Sequence, residues 1–273
     1  MIDLHAHTTY SDGKLTPEAL VEAAAKAGIH ALAITDHDTL AGWDEAFAAA
    51  TAWGIEIVPG VELSTVHRDR SLHILGYYPN PDQLQEPLRD RIQGRKRRAQ
   101  KIVDKLAELG YFIQLPELGE GIAPSRPHIA AALVQAGYVK SSREAFDRFL
   151  GDYQPAYVHY ETLSAHEGIR LLRSCGAVPV WAHPYLYRGG DVGTVLLELI
   201  EAGLEGVEVY HPNHTPSQCQ HLENWCHQHS LVMTGGSDYH GPVEFDHQPA
   251  NRLNMLQLPL ALLSSLKQAS RQI

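Results

Sequence analysis

His5 and His7 stand two residues apart, where a short apolar opening, Ile2 to Leu4, gives way to the turn Tyr10-Ser11-Asp12-Gly13. Side chains at i and i+2 of an extended segment share a face, roughly 6–7 Å apart, so two imidazoles there can reach one cation. Imidazole is the commonest metal ligand and titrates near neutral pH. A single H-x-H triplet is weak evidence, and recurrence gives it weight. Asp36-His37 follows the apolar run Ala31–Thr35, Glu62 follows Ile55–Val58, and His73 lies within Leu72–Leu75. His183 follows Val178–Trp181, and Asp238 with His240 follows Leu231–Thr234. Neutral imidazoles and carboxylates without cysteine suit zinc, manganese or iron. So many groups exceed the needs of one ion, which points to two or three divalent ions with a carboxylate bridging a pair. Such ions lower the pKa of bound water and act as Lewis acids. Metal-assisted hydrolysis is the expected chemistry.

The elements that must position these groups repeat one order: helix, glycine stop, short apolar strand, polar end. Thr16-Pro17 supplies an N-cap and N1 for a helix ended by Gly28, and a second helix from about Leu40 to Trp53 stops at Gly54. Ser164 to Glu167 reads as a capping box for a helix reaching Cys175-Gly176, another helix ends at Gly203, and Thr215-Pro216 starts one more. With Ile2–Leu4 and Val207–Tyr210, the apolar runs above make seven predicted strands. Short apolar runs alternating with helices imply parallel strands buried on both faces. Polar residues at nearly every strand end favour a closed barrel, because a barrel gathers ligands from many strands while an open sheet concentrates them at one crevice. The expected fold is α/β, a seven-stranded β/α barrel built from residues 1–82 and 161–273.

Residues 83–160 break that order. A long helix is predicted from about Gln83 to Leu109, then punctuation by Pro116, Gly119, Gly121, Pro124 and Pro127, then helices at Ile129–Gln135 and Arg143–Phe149. This reads as a helical insertion that caps the barrel and binds substrate.

Composition bounds the rest. With 273 residues, 44% hydrophobic and 20% charged, the chain reads as a soluble globular protein. Its net charge of −10 weighs against long duplex nucleic acid as a partner. No apolar run approaches the ~18 residues that span a bilayer, and the N-terminus lacks a leader pattern, so a cytoplasmic location is expected. Cys175, Cys219 and Cys226 form no CxxC pair and read as helix thiols in a reducing compartment.

Taken in order, Asp3-Leu4-His5-Ala6-His7-Thr8, Ser11-Asp12-Gly13, Ile34-Thr35-Asp36-His37-Asp38, Pro59-Gly60-Val61-Glu62, His73-Ile74-Leu75-Gly76, Ala182-His183-Pro184 and Ser237-Asp238-Tyr239-His240 resemble the motifs of the PHP (polymerase and histidinol phosphatase) superfamily. The likeness covers nearly the full chain. It implies a distorted (β/α)7 barrel with a trinuclear metal centre. By motif, one ion would take His5, His7, Glu62 and Asp238, a second would share Glu62 and add His73 and His183, and a third would take Asp12, His37 and His240. Some members carry histidine at the Asp12 position, and aspartate is another common variant. Within the insertion, Ser125-Arg126-Pro127-His128-Ile129-Ala130 resembles the branch acting on small nucleotides: nucleoside 3′,5′-bisphosphate phosphatases, AMP phosphohydrolases and exoribonucleases of short oligonucleotides.

The run Arg95-Lys96-Arg97-Arg98, with Lys101, is ordinarily what a solvated helix face looks like. Its functional reading is a grip on a phosphate remote from the metals. Arg95 and Arg98 share a helical face and would act with Ser125, Arg126 and His128, the arginine fork matching phosphate bidentately. His211, after the sixth strand, is placed either as a catalytic proton donor or phosphate contact, or as a cap of its own turn. Asp36 and Asp38 are expected to orient imidazoles. His221, His227 and His229 read as exposed helix surface, and His30, His67, His159, His166, His214 and His247 receive no role. The favoured activity is removal of the 3′-phosphate from nucleoside 3′,5′-bisphosphates, with AMP as a neighbouring substrate. Stepwise 5′-to-3′ cleavage of short RNA is the alternative. A catalytically silent metal-binding module is the reading from another class, and the intact ligand set argues against it.

Overall fold

The computed structural model describes residues 1–115, 123–159, 163–242 and 252–271. Pro116, Gly119 and Gly121, His247 and the expected boundary at residues 160 and 161 lie outside the described residues. The apolar runs form strands β1 (Ile2–Asp3), β2 (Ala31–Ile34), β3 (Glu56–His67), β4 (Arg70–Tyr77), β5 (Val178–Trp181), β6 (Gly206–Tyr210) and β7 (Val232–Gly235). Helices α1 (Pro17–Lys26), α2 (Trp43–Trp53), α3 (Pro81–Glu108), α4 (Arg126–Gln135), α5 (Ser142–Ala145), α6 (Ala165–Ser174), α7 (Val192–Glu201), α8 (Pro216–His229) and α9 (Leu260–Ser270) connect or cover them.

One sheet runs in the order β1 to β7. The two edges meet above β1, where Leu4 N donates to Gly235 O at 3.2 Å and Ala6 bridges Tyr239 in parallel, so the barrel is nearly closed. Its interior is filled by alternate strand residues, among them Ile2, Leu4, Ala33, Val58, Leu75, Tyr77 and Val180, with Leu263 and Leu266 of α9 in the same cluster. Two further clusters pack helices on the outside, α1 and α2 over β2 and β3, and α6 to α8 over β3 to β6. Among the described residues no helix is long and apolar enough to cross a membrane.

The expected all-parallel order fails at β4, which runs antiparallel to both β3 and β5. Two residues, Arg68 and Asp69, link β3 to β4, both at positive φ (50° and 60°), and a link that short can join only antiparallel strands. The hairpin also lengthens β3 to 12 residues, so Glu62 lies within a strand instead of beyond one.

Helix α3 starts at Pro81, two residues before the predicted Gln83, because Asn80 caps it by accepting from Asp82 N at 3.0 Å. Leu84 and Leu88 join the barrel's outer cluster, while Ala99, Ile102 and Leu106 pack with Ile129, Leu133, Phe149 and Leu150 in a separate one. Burying each large apolar side chain contributes about 1.5–3 kcal/mol, which together outweighs the roughly 3 kcal/mol cost of Pro87 inside the helix. Helix α4 begins at Arg126, earlier than the predicted Ile129, since Ser125 and His128 form a capping box across its first turn. The helix predicted over Arg143–Phe149 is instead one turn, α5, continued by a π turn over Phe146–Leu150.

Candidate metal centre

Beyond β1 the chain stays extended against Tyr239, which puts the His5 and His7 rings side by side with centroids 5.2 Å apart and both fully buried. Glu62 stands beneath them. One carboxylate oxygen lies 3.3 Å from His5 Nε2, 3.1 Å from His7 Nε2 and 3.3 Å from His37 Nδ1. The other oxygen lies 2.8 Å from His73 Nδ1 and 3.1 Å from His183 Nε2. Asp238 Oδ1 faces the same pair of imidazoles, 3.4 Å from His5 Nε2 and 3.2 Å from His7 Nε2. Asp12 meets His240 Nε2 at 3.2 Å and His37 Nε2 at 3.9 Å. All nine predicted ligands therefore surround one cluster. Three groupings have ligand atoms mutually within 4.8 Å: His5, His7, Glu62 and Asp238; His7, Asp12, His37 and His240; His37, Glu62 and His73.

Whether this donor set fits cations is decided by its buried lone pairs. His5 Nδ1 is engaged by Glu208 Oε1 at 2.9 Å, and His7 Nδ1 by Ser11 Oγ at 3.3 Å. The Ser11 hydroxyl itself donates to Asp36 Oδ1 at 2.6 Å, so it can only accept from His7. Both rings thus keep their proton on Nδ1 and turn an unprotonated Nε2 inward. Those two Nε2 atoms, with Asp12 Oδ1, are buried and without a hydrogen-bond partner. Orphaned buried acceptors converging on carboxylates are what bound divalent ions satisfy.

Several supports went unseen in the sequence. Glu208 is fully buried on β6, with Oε1 on His5 and Oε2 accepting from His183 N at 2.7 Å. A charged residue inside Val207-Glu208-Val209 was the available signal. Asp3 accepts from Ser237 N at 2.8 Å and steadies the loop bearing Asp238, and burial pushes its carboxyl up to about 6. His183 and Asp238 adopt positive φ (35° and 50°), a conformation L residues avoid at a cost of order 1–3 kcal/mol. The close approach of that loop to β1 needs Gly236, where a Cβ would collide with the His5 backbone.

Of the two aspartates expected to orient imidazoles, Asp36 does so only indirectly, and Asp38 accepts from arginines instead. Asp36 accepts from Thr8 N at 2.7 Å, Thr8 Oγ1 at 2.6 Å and Ser11, so it reaches His7 only through Ser11. Asp38 accepts from Arg91 Nε at 2.9 Å, Arg95 Nη1 at 2.8 Å and Ser64 N at 3.1 Å. It joins α3 to the barrel beside His37.

Charge in the cluster is divided unevenly. Burial alone disfavours every charged imidazole. At His7 the Asp238 and Glu62 carboxylates outweigh burial and, with no cation between them, would hold a second proton on Nε2 up to about 10, so cation binding there displaces a proton. At His37 burial wins, helped by His7 and His73, and holds it down at about 3. Asp12 and Glu62 resist burial through their imidazole neighbours and stay well below the ordinary carboxylate range.

A cavity of about 170 Å³ opens from Asp12, His37 and His73 towards α3 and α4, lined also by Arg95, Arg98, Ser125, Arg126 and Tyr157. Arg95 is committed to Asp38, Arg98 Nε donates to Val158 O at 2.9 Å, and Arg126 donates to Asp152 at 3.2 Å. Ser125 Oγ and His128 Nδ1 lie 2.8 Å apart within their capping box. Arg91, one turn before Arg95, was missed. His211 is buried, accepts from Asn213 N at 3.2 Å and points Nε2 at Asp238 Oδ2, 3.6 Å away, so it caps its turn and faces the cluster at once. Of the helix-surface histidines, His221 and His227 are exposed, whereas His229 is half-buried against Trp225 with ring centroids 5.1 Å apart.

The model of the PHP domain family matches residues 3–179. The chain belongs to the PHP domain family. Among PHP relatives, a 5′-3′ exoribonuclease of Haemophilus influenzae is 36% identical over 249 residues, covering 88% of this chain and 90% of that protein. A 3′,5′-nucleoside bisphosphate phosphatase of Chromobacterium violaceum is 33% identical over 259 residues, covering 89% and 88%. A crystal structure from Bifidobacterium adolescentis, described as a metal-dependent phosphoesterase, superposes with a TM-score of 0.79 at 32% identity and 96% coverage of both chains. This PHP chain is a metal-dependent phosphoesterase, a hydrolase. Glu208 braces His5 and the His183 backbone and stands outside the three candidate ligand groupings. Glu208→Gln is expected to weaken divalent-metal binding by about 10–100-fold. Metal titration followed by bound-metal analysis checks it, and affinity equal to wild type would dismiss the support.

Proposed function

We propose that the enzyme removes the 3′-phosphate of nucleoside 3′,5′-bisphosphates. One observation carries this reading. A single cavity is lined both by Asp12, His37 and His73 of the cluster and by Arg98, Arg126 and Ser125, so one ligand can face the cluster and the guanidiniums together. The 33% identical phosphatase of nucleoside bisphosphates supports the same substrate class.

In this reading His5, His7, Glu62 and Asp238 hold one ion, Glu62, His73 and His183 a second, and Asp12, His37 and His240 a third. Manganese, zinc and iron all suit those donors. Bound there, the ions supply Lewis acidity towards the phosphoryl oxygens and an acidified water. The chain's own residues do the remainder. Glu208, Ser11 and Asp36 hold the imidazoles in their metal-binding tautomer. Arg98 and Arg126, with Ser125 and His128, take the 5′-phosphate and hold the 3′-ester in line. His211, its Nδ1 occupied as an acceptor, carries its proton on Nε2 and offers it to the departing 3′-oxygen. Residues 83–160 form the cap that selects the substrate.

Phosphate release from adenosine 3′,5′-bisphosphate, yielding 5′-AMP, should exceed release from 5′-AMP itself. Arg126→Ala is expected to raise KM for the bisphosphate about tenfold with kcat retained, the share of a charged hydrogen bond. Faster turnover of 5′-AMP, or an unchanged KM, would overturn the assignment. Cleavage of short RNA from its 5′ end breaks the same bond between phosphorus and the 3′-oxygen. The 36% identical exoribonuclease supports that second reading, and a second cavity favours it as well.

A further inference from the structure

The second cavity, of about 220 Å³, shares Ser71, His73 and Arg126 with the first, so the His73 imidazole stands between the two. His183 lines it too, which brings it against the other flank of the ligand cluster. Its charged walls are Arg70, Arg126, Arg188 and Asp152, three guanidiniums to one carboxylate in a chain whose net charge is −10. Arg70 and Arg126 both reach Asp152, at 3.6 and 3.2 Å, whereas Arg188 is exposed and has no carboxylate partner among the described residues. The Arg70 guanidinium lies 4.0 Å from the centre of the Tyr153 ring, and Tyr153 is 62% exposed.

A substrate ending in its reacting phosphate has nothing to place in this cavity. A substrate whose chain continues beyond that phosphate does. Guanidiniums beside an exposed aromatic ring are the pair of features single-stranded nucleic acid requires, one for its backbone and one for its bases.

We propose that the second cavity receives the nucleotide on the 3′ side of the reacting phosphate of a short single-stranded RNA. Arg188 meets the phosphate on the 3′ side of that nucleotide, one beyond the reacting phosphate, and Tyr153, backed by Arg70, stacks against its base. The proposal rests on the reading above, in which the first cavity takes the 5′-phosphorylated nucleoside. In the reaction the oxygen of water bonds to phosphorus and the bond to the 3′-oxygen breaks. One proton of the water ends on the 3′-oxygen and the other goes to solvent. The phosphoryl group stays on the 5′-oxygen of the second nucleotide, so the released chain again carries a 5′-phosphate.

Wild type, Arg188→Ala and Tyr153→Ala are assayed with Mn²⁺ on adenosine 3′,5′-bisphosphate and on the 5′-phosphorylated trinucleotide pApApA, with initial release of 5′-AMP resolved chromatographically. Both variants are expected to raise KM for pApApA about tenfold and to leave kcat/KM for the bisphosphate within about twofold. Equal losses on both substrates, or no loss on pApApA, overturn the subsite. Wild-type enzyme that hydrolyses the bisphosphate and leaves pApApA intact overturns it as well, while the phosphatase reading survives. Selective KM increases on pApApA from an enzyme inert towards the bisphosphate uphold the subsite and remove the phosphatase reading.

Discussion

Replacing Glu62 by Gln is expected to lower kcat by at least about a thousandfold, equivalent to about 4 kcal/mol of barrier. Its two oxygens lie between 2.8 and 3.3 Å from five imidazoles, more than any other carboxylate in the cluster reaches. The amide keeps the volume and one acceptor. It loses the negative charge, and its NH₂ group points hydrogens where lone pairs are required. The fold should survive, because the barrel interior is apolar and does not depend on this carboxylate. Phosphate release, bound-metal content and a thermal melt, measured on one preparation, check the three parts of this expectation. A variant with normal metal content and more than a tenth of wild-type turnover would defeat the bridging role.

Asp38→Ala should act on stability instead, by about 3–5 kcal/mol, the cost of breaking a buried ion pair from one side. Asp38 is fully buried, and the side chains of Arg91 and Arg95 are 10% and 7% exposed. Burial raises the Asp38 carboxyl, and Arg91 and Arg95 overcome it, so the folded pKa is lowered from the ordinary carboxylate value. A lowered folded pKa fixes the sign. The contribution is fully present above the unfolded value, about 4, and is lost only as pH falls through the folded one. Denaturant midpoints of wild type and variant should therefore differ by a constant amount between pH 5.5 and 8 and converge in acid. A gap that widens below pH 4, or one under about 1 kcal/mol at pH 7, would contradict this account.

How much of this was legible in the sequence varies by residue for physical reasons. The convergence of the candidate ligands was legible because His37, His183, Asp238 and His240 each follow an apolar run of the repeating unit, although Glu62 and His73 lie inside strands. The direction of β4 was not, because its turn uses Arg68-Asp69 in place of the Asn-Gly that usually marks such hairpins. Glu208 was hidden since its meaning depends on His5, 203 positions away. Asp36 and Asp38 flank His37 identically in sequence, yet one braces the Thr8–Ser11 turn and the other clasps α3. Flanking position cannot separate them, because β2 ends at Ile34 and the backbone turns left-handed at Asp38 (φ 54°), so the two neighbours of His37 leave the chain in different directions. The second cavity joins residues from β4, the segment after β5 and the segment after the π turn, and no local pattern announces such a meeting.

Helix α3 carries 28 residues without interruption, about 42 Å at 1.5 Å per residue. Its first turns are bolted to the barrel by Leu84 and Leu88, and its last turns are embedded among α4 and the π turn. Arg91 and Arg95 sit between these ends and clasp Asp38, the residue next to His37. The helix is therefore pinned at three points along its length, the middle one a residue away from the candidate ligand His37. One rigid element thus ties the packing of the cap to the backbone position next to His37, so the cavity's two sides share a single frame.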